Sequence, residues 1–139
     1  MGIHKTQVRV RFGETDMAGP VYLKEYIHYF VVAWEELFRD IGFPFEIAIG
    51  KNNFAFPPVE VKAKISAPAY CGDLLEIETK IKELTRMTFV FDFKVFKLNE
   101  GKKLLGKGYI KAVTIDNERK IIYIPDILYK ALSDFKDSP

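Results

Sequence analysis

The chain has one long stretch of helical periodicity, and it stands before four long segments that alternate like strands, not among them. In residues 22–41 the side chains Leu23, Ile27, Phe30, Trp34, Leu37 and Ile41 recur at steps of four and three, the spacing of one helix face. Lys24, Glu25, His28, Glu35, Glu36, Arg39 and Asp40 take the other side, and Gly42 followed by Pro44 stops the helix. Alternating segments follow at 59–67, 75–82, 87–98 and 104–115, with turns at 68–73 and 99–101. No helix lies between them to carry a parallel crossover, so the strands pair antiparallel. The expected fold class is α+β, one antiparallel sheet wrapped around one long central helix.

The remaining segments fit that frame. Val8, Val10 and Phe12 alternate with Gln7, Arg9 and Arg11, which predicts an N-terminal strand with Phe12 facing inward. Residues 13–20 hold two glycines and a proline and read as a loop; 45–58 reads as irregular. Segment 87–98 is apolar on both faces, with Phe89, Phe91, Phe93 and Val95 against Val90 and Phe96, so it is expected at the sheet's centre. A short strand at 121–124 and a helix at 126–135 close the chain. With 139 residues and neither repeat nor linker, one domain over 1–139 is expected.

Several function classes drop out by counting. A single cysteine, Cys71, rules out an internal disulfide or a cysteine zinc site, and two histidines, His4 and His28, do not make a histidine metal site. No metal and no cofactor is expected. The longest apolar runs fall well short of a membrane span, so a cytoplasmic protein without membrane insertion is the expectation. A net charge of +2 is too mild to argue for nucleic acid. Charge is nevertheless uneven: Lys94, Lys97, Lys102, Lys103, Lys107 and Lys111 share their stretch with one acid, Glu100. Such a strip can attract a phosphorylated ligand or simply keep a strand face soluble.

Three motif-like patterns carry little chemistry. Gly101 to Gly106-Lys107 has the spacing of a phosphate-binding loop, but Gly108 stands where Ser or Thr would hold magnesium, and no helix follows. The segment reads as a hairpin. Cys71 has no histidine nearby in sequence, and His28 sits on the polar helix face. No Gly-x-Ser-x-Gly pattern supports a serine triad.

The segment from Arg11 to Tyr26 is different. It sets a carboxylate, Asp16, a few residues before the helix, with Gly19 letting the backbone pass close to a ligand. Unpaired N–H groups around Tyr22 and Leu23 form the positive end of the helix and can hold a developing oxyanion. A carboxylate beside such donors suits acyl transfer. The alternative is that Asp16 or Thr15 orders the loop or caps the helix.

The pattern Thr15-Asp16-x-x-Gly19-x-Val21-x-x-x-x-Tyr26-x-x-x-Phe30, followed by Trp34 and Glu35, resembles the signature of the hot-dog acyl-CoA thioesterases of the 4-hydroxybenzoyl-CoA thioesterase-like family. The turn Pro68-Ala69-Tyr70-Cys71-Gly72-Asp73 is similar to that family's pattern as well. The resemblance implies an acyl-CoA thioesterase in which Asp16 acts as nucleophile or general base and the backbone N–H of Leu23 binds the carbonyl oxygen. One such donor is worth about 3 kcal/mol in the transition state. Some bacterial members carry histidine where this chain has Leu23.

Gly19, Val21, Tyr22 and Tyr26 are the expected substrate contacts, with Phe54 a further aromatic candidate. Arg86, Arg119 and the lysines near Lys107 are the basic candidates for coenzyme A, which enters as part of the substrate. The resemblance also implies a dimer or homotetramer with the site between chains. Two alternatives stay open: a non-catalytic acyl-CoA binding module, and a hot-dog hydratase or dehydratase, although neither His4 nor His28 is well placed for the latter.

Overall fold

The computed structural model describes residues 1–46 and 53–139. Its strands are β1 (His4–Arg9), β2 (Phe54–Ala55), β3 (Pro58–Ile65), β4 (Leu74–Leu84), β5 (Thr88–Lys97), β6 (Lys103–Val113) and β7 (Ile115–Asp116). The helices that lie wholly within the described residues are α1 (Leu23–Asp40) and α2 (Asp126–Asp137). Five strands form one antiparallel sheet in the order β1-β4-β5-β6-β3, and β2 pairs with β7 in a separate ribbon. This is the expected α+β architecture, with β5 in the middle.

Alternation decides which face of each strand is buried. Phe89, Phe91, Phe93 and Val95 of β5 and Leu75, Ile77 and Ile81 of β4 point toward α1 and are buried. The outward side chains of β5 include Asp92 and Lys94, so this central strand is wet on its far face despite Val90 and Phe96. Phe30 of α1 lies flat on Phe93 at 4.7 Å between ring centroids, a stacking worth about 1 kcal/mol beyond the area buried.

The close approach of α1 to the sheet depends on Gly108. A Cβ there would meet the Lys62 carbonyl oxygen at 2.1 Å and the Phe30 ring at 2.6 Å. The glycine of the phosphate-loop look-alike is therefore a packing residue within β6, as the hairpin reading requires.

Four details differ from the sequence reading. The helix face that packs inward is Tyr26, Tyr29, Phe30, Ala33, Trp34, Leu37 and Phe38, while Leu23 is exposed. The sheet takes a broader stripe than one line of aliphatics, and Leu23 sits at the open helix start. Phe12 turns outward because the chain leaves β1 into a 3-10 turn at Phe12–Glu14. Residues 121–124 form only a bridge at Ile121; the Ile124 amide donates to the Arg86 carbonyl and Pro125 follows. Within 45–58, expected irregular, β2 pairs with β7; residues 47–52 of that stretch lie outside the described ones.

Candidate active site

The loop before α1 is held from both ends. Thr15 and Val21 form an antiparallel bridge, the Asp16 amide donates to the Pro20 carbonyl at 2.9 Å, and the Tyr22 amide donates to the Glu14 carbonyl at 3.1 Å. Glu14 Oε1 accepts from the Arg11 amide and from the Tyr29 hydroxyl, each at 2.8 Å, which ties the loop to the helix one turn and a half further on. Burial and the Glu14 carboxylate push the Tyr29 phenol well above its ordinary pKa. The second anchor is the 68–73 turn: Val21 N–H donates to Ala69 O, Pro20 bridges to Tyr70, and Asp73 Oδ2 accepts the Tyr70 amide at 2.9 Å. Asn99 and Lys97 in turn hold Asp73, which is buried.

Within this frame Asp16 is half-buried, and its Oδ1 accepts the Ala18 amide at 2.8 Å and the Gly19 amide at 3.0 Å. Gly19 takes φ 108, a backbone state that glycine adopts without strain. The other oxygen, Oδ2, has no protein hydrogen bond among the described residues. Thr15 Oγ1 donates to the Phe12 carbonyl instead of capping α1. Tyr22 occupies the N-cap position with no side-chain bond, so Asp16 orders its loop without capping the helix. Among the described residues the Leu23 N–H has no acceptor.

Beside the helix start lies a cleft of about 270 Å³ lined by Pro20, Val21, Leu23 and Tyr26 on one side and by the 65–68 segment on the other. The structure thus brings together Asp16, Gly19, Val21, Leu23 and Tyr26 around one loop and one helix end. Tyr22 flanks them, half-exposed, with Lys24 Nζ 5.4 Å from its ring.

The two arginine candidates go elsewhere. Arg86 is sandwiched against Tyr123 and Tyr129 and pairs with Asp126 at 2.9 Å, fastening α2 to the β4–β5 turn. Arg119 occupies the tight turn after β7, with φ 65. Phe54 packs on Phe56 at 5.5 Å, a core contact. His4 Nε2 bonds Asp40 at the far end of α1, and His28 is exposed. Sequence reasoning missed Glu14 and Tyr29; Glu14 accepts the Arg11 amide as the acid of a capping box does, but Arg11 has no accepting side chain, so no complete motif marked it. Among the described residues no cluster of His, Cys, Asp or Glu could hold a metal ion, and no helix is long and apolar enough to cross a membrane.

The profile of the thioesterase-like superfamily matches residues 10–132, from the end of β1 into α2. The chain belongs to that superfamily. It is 37% identical over 114 residues to a 1,4-dihydroxy-2-naphthoyl-CoA hydrolase of Prochlorococcus marinus, covering 77% of this chain and 72% of the relative. It is 28% identical to the acyl-CoA thioesterase YbgC of Haemophilus influenzae, with 78% of each chain covered. Among solved structures, a 1,4-dihydroxy-2-naphthoyl-CoA thioesterase from Synechocystis superposes with a TM-score of 0.90 at 27% identity, covering 99% of this chain and 100% of that one. The fold is the hot-dog of these thioesterases.

Proposed function

We propose that this chain hydrolyses the thioester of an acyl-CoA, releasing a free acid and coenzyme A. The observation that carries the reading is the half-pinned Asp16 carboxylate. Its Oδ1 is fixed by two amides while Oδ2 has no hydrogen bond among the described residues, on the loop that leads into an uncapped helix start. In the reaction the thioester carbonyl oxygen accepts the Leu23 N–H. Asp16 Oδ2 attacks the carbonyl carbon, or takes a proton from the water that does. The C–S bond breaks, the thiolate leaves and is protonated, and water supplies the acid's new oxygen. No cofactor is needed. Val21, Tyr26 and Leu23 line the cleft for the acyl group, and Gly19 and Tyr22 are their neighbours in sequence.

The hydratase reading lacks its histidine. His4 is engaged by Asp40 at the other end of α1, about 27 Å along a helix of this length. A non-catalytic binding module would leave Oδ2 of Asp16 idle.

The working unit in this reading is a cytoplasmic homotetramer built from dimers. Strand β3 is an edge strand that exposes Val59 and Val61, an invitation to pair with a second copy. Phe12, Met17, Leu23 and Tyr70 stand exposed around the Asp16 loop, an apolar rim that a neighbouring subunit would cover.

The test is release of free thiol across a panel of acyl-CoAs that includes 1,4-dihydroxy-2-naphthoyl-CoA and aliphatic chains. Turnover of at least one member is expected. No release from any of them at high enzyme concentration refutes the hydrolase.

A further inference from the structure

A second concavity, of about 550 Å³, is lined by the side of the sheet away from α1 and away from the Asp16 loop. Its walls carry Lys62 and Lys64 of β3, Lys80 and Lys82 of β4, Lys94 of β5 and Lys107 of β6. Register sharpens this. Lys64 lies directly opposite Lys107, and Lys107 directly opposite Lys94, so three lysines stand in one row across three neighbouring strands. Like charges directly opposite one another destabilise a sheet.

Two acids share these walls: Asp92 of β5 stands directly opposite Lys80, one row over from the three lysines, and Glu78, next in line on β4, is paired with Lys102, as is Glu76. Glu60 accepts the Tyr109 hydroxyl at 2.5 Å. Among the described residues none of the six lysines has a carboxylate within ion-pair distance. At about 4.8 Å between strands the row spans about 10 Å, the reach of a short chain of phosphates. A second copy of this face would bring lysines against lysines, so self-association there is disfavoured.

We propose that this face of the sheet binds a small polyphosphate, with Lys64, Lys94 and Lys107 on its charges and Lys62, Lys80 and Lys82 around them. The size of the concavity suits a nucleotide-sized ligand. The Tyr109 ring, with Lys82 Nζ 6.0 Å from its centroid, gives a base or sugar a flat surface. The site goes beyond the hydrolase reading and is measured without turnover.

The test uses inorganic triphosphate on the whole protein, followed by thermal unfolding and titration calorimetry. Expected are a rise in Tm with triphosphate and binding that weakens as salt increases. Lys107→Glu converts the row into two cross-strand ion pairs. It is expected to raise Tm without ligand and to weaken triphosphate binding at least tenfold. Lys64→Gln with Lys94→Gln should weaken binding while leaving the protein folded. The proposal is overturned if triphosphate leaves the wild-type Tm unchanged, if Lys107→Glu binds it as well as wild type, or if only single-stranded DNA or anionic vesicles bind. Adenosine bisphosphate and ATP separate the sources of the ligand. Competition by the bisphosphate together with a raised KM for acyl-CoA in Lys107→Glu marks the substrate's own nucleotide end. ATP binding with an unchanged KM marks a separate effector.

Discussion

Replacing Asp16 with Asn separates the carboxylate's structural work from its chemistry. Asn keeps a side-chain oxygen where Oδ1 accepts the Ala18 and Gly19 amides, so the loop retains both bonds and loses only their charge assistance. Neutral acceptors are weaker than ionised ones, and for two bonds in a half-exposed loop the change costs about 1 kcal/mol of stability. Alanine removes both acceptors and should cost about 2–3 kcal/mol. Turnover behaves differently. Loss of the attacking or proton-accepting Oδ2 should lower kcat by about 10²- to 10⁴-fold, or about 3–5 kcal/mol in the barrier, for either substitution. The assay is thiol release for kcat, urea unfolding for stability, and titration of a non-cleavable acyl-CoA analogue for binding. The Asp16→Asn enzyme is expected to unfold nearly as wild type, bind the analogue and barely turn over. Turnover within tenfold of wild type in a stably folded Asp16→Asn protein would refute a chemical role and leave Asp16 as a loop-ordering residue.

Three further outcomes follow from contacts in the fold. Gly108→Ala drives a methyl against the Lys62 carbonyl and the Phe30 ring, and should cost about 3 kcal/mol in urea unfolding; a change under about 0.5 kcal/mol would show that β3 or α1 yields freely. The Tyr29 phenol is raised in the folded state from its ordinary 10, so its contribution is intact below pH 10 and is lost as the pH climbs beyond it. Tyr29→Phe should therefore show a flatter alkaline fall in stability than wild type, and identical pH profiles would remove Tyr29 as the cause. Val61→Glu puts a charge on the exposed edge strand and should shift the protein toward monomer by light scattering; an unchanged mass would show that β3 is not the pairing edge.

Local period was legible where one element decides it, and not where a distant segment does. The long helix and the succession of antiparallel strands along the chain follow from periodicity and from the absence of crossover helices; the central place of β5 was expected from two apolar faces, and it holds although Asp92 and Lys94 wet the far one. The inward helix line was drawn too narrow because Tyr26, Tyr29 and Phe38 lie beside the chosen positions; the two tyrosines, with polar tips, read as either face, and Phe38 widens the apolar stripe. Strand β2 exists only through pairing with Asp116 and Ile115, some sixty residues on, which no local window contains. Arg86 looked free for coenzyme A because its partners Tyr123, Asp126 and Tyr129 arrive with α2. The lysine strip was visible by counting, but strand parity re-sorted it. Lys94 and Lys107 stay on the far face and gain Lys62, Lys64, Lys80 and Lys82, while Lys97 turns to Asp73 and Lys102 to Glu76 and Glu78.

Stability alone would not place a tyrosine at the start of α1. The N-cap position favours Ser, Thr, Asp or Asn, whose side chain satisfies a free N–H and adds about 1 kcal/mol. Tyr22 holds that position with extended backbone and no cap bond, although Thr15 and Asp16 lie on the same loop and bond elsewhere. An uncapped start keeps its positive end available to a carbonyl oxygen, which is where the proposed reaction develops negative charge. Tyr22→Asn and Tyr22→Asp test that role. The Asn substitution should cap the helix and raise stability by about 1 kcal/mol. The Asp substitution should do the same while setting a negative charge beside the oxyanion, and so should cost more turnover than Asn. Measured by urea unfolding and thiol release, greater stability with kcat falling from wild type to Tyr22→Asn to Tyr22→Asp is the expected result. If both variants gain stability and keep wild-type turnover, the free helix start plays no part in catalysis, and the carbonyl must find its donors elsewhere.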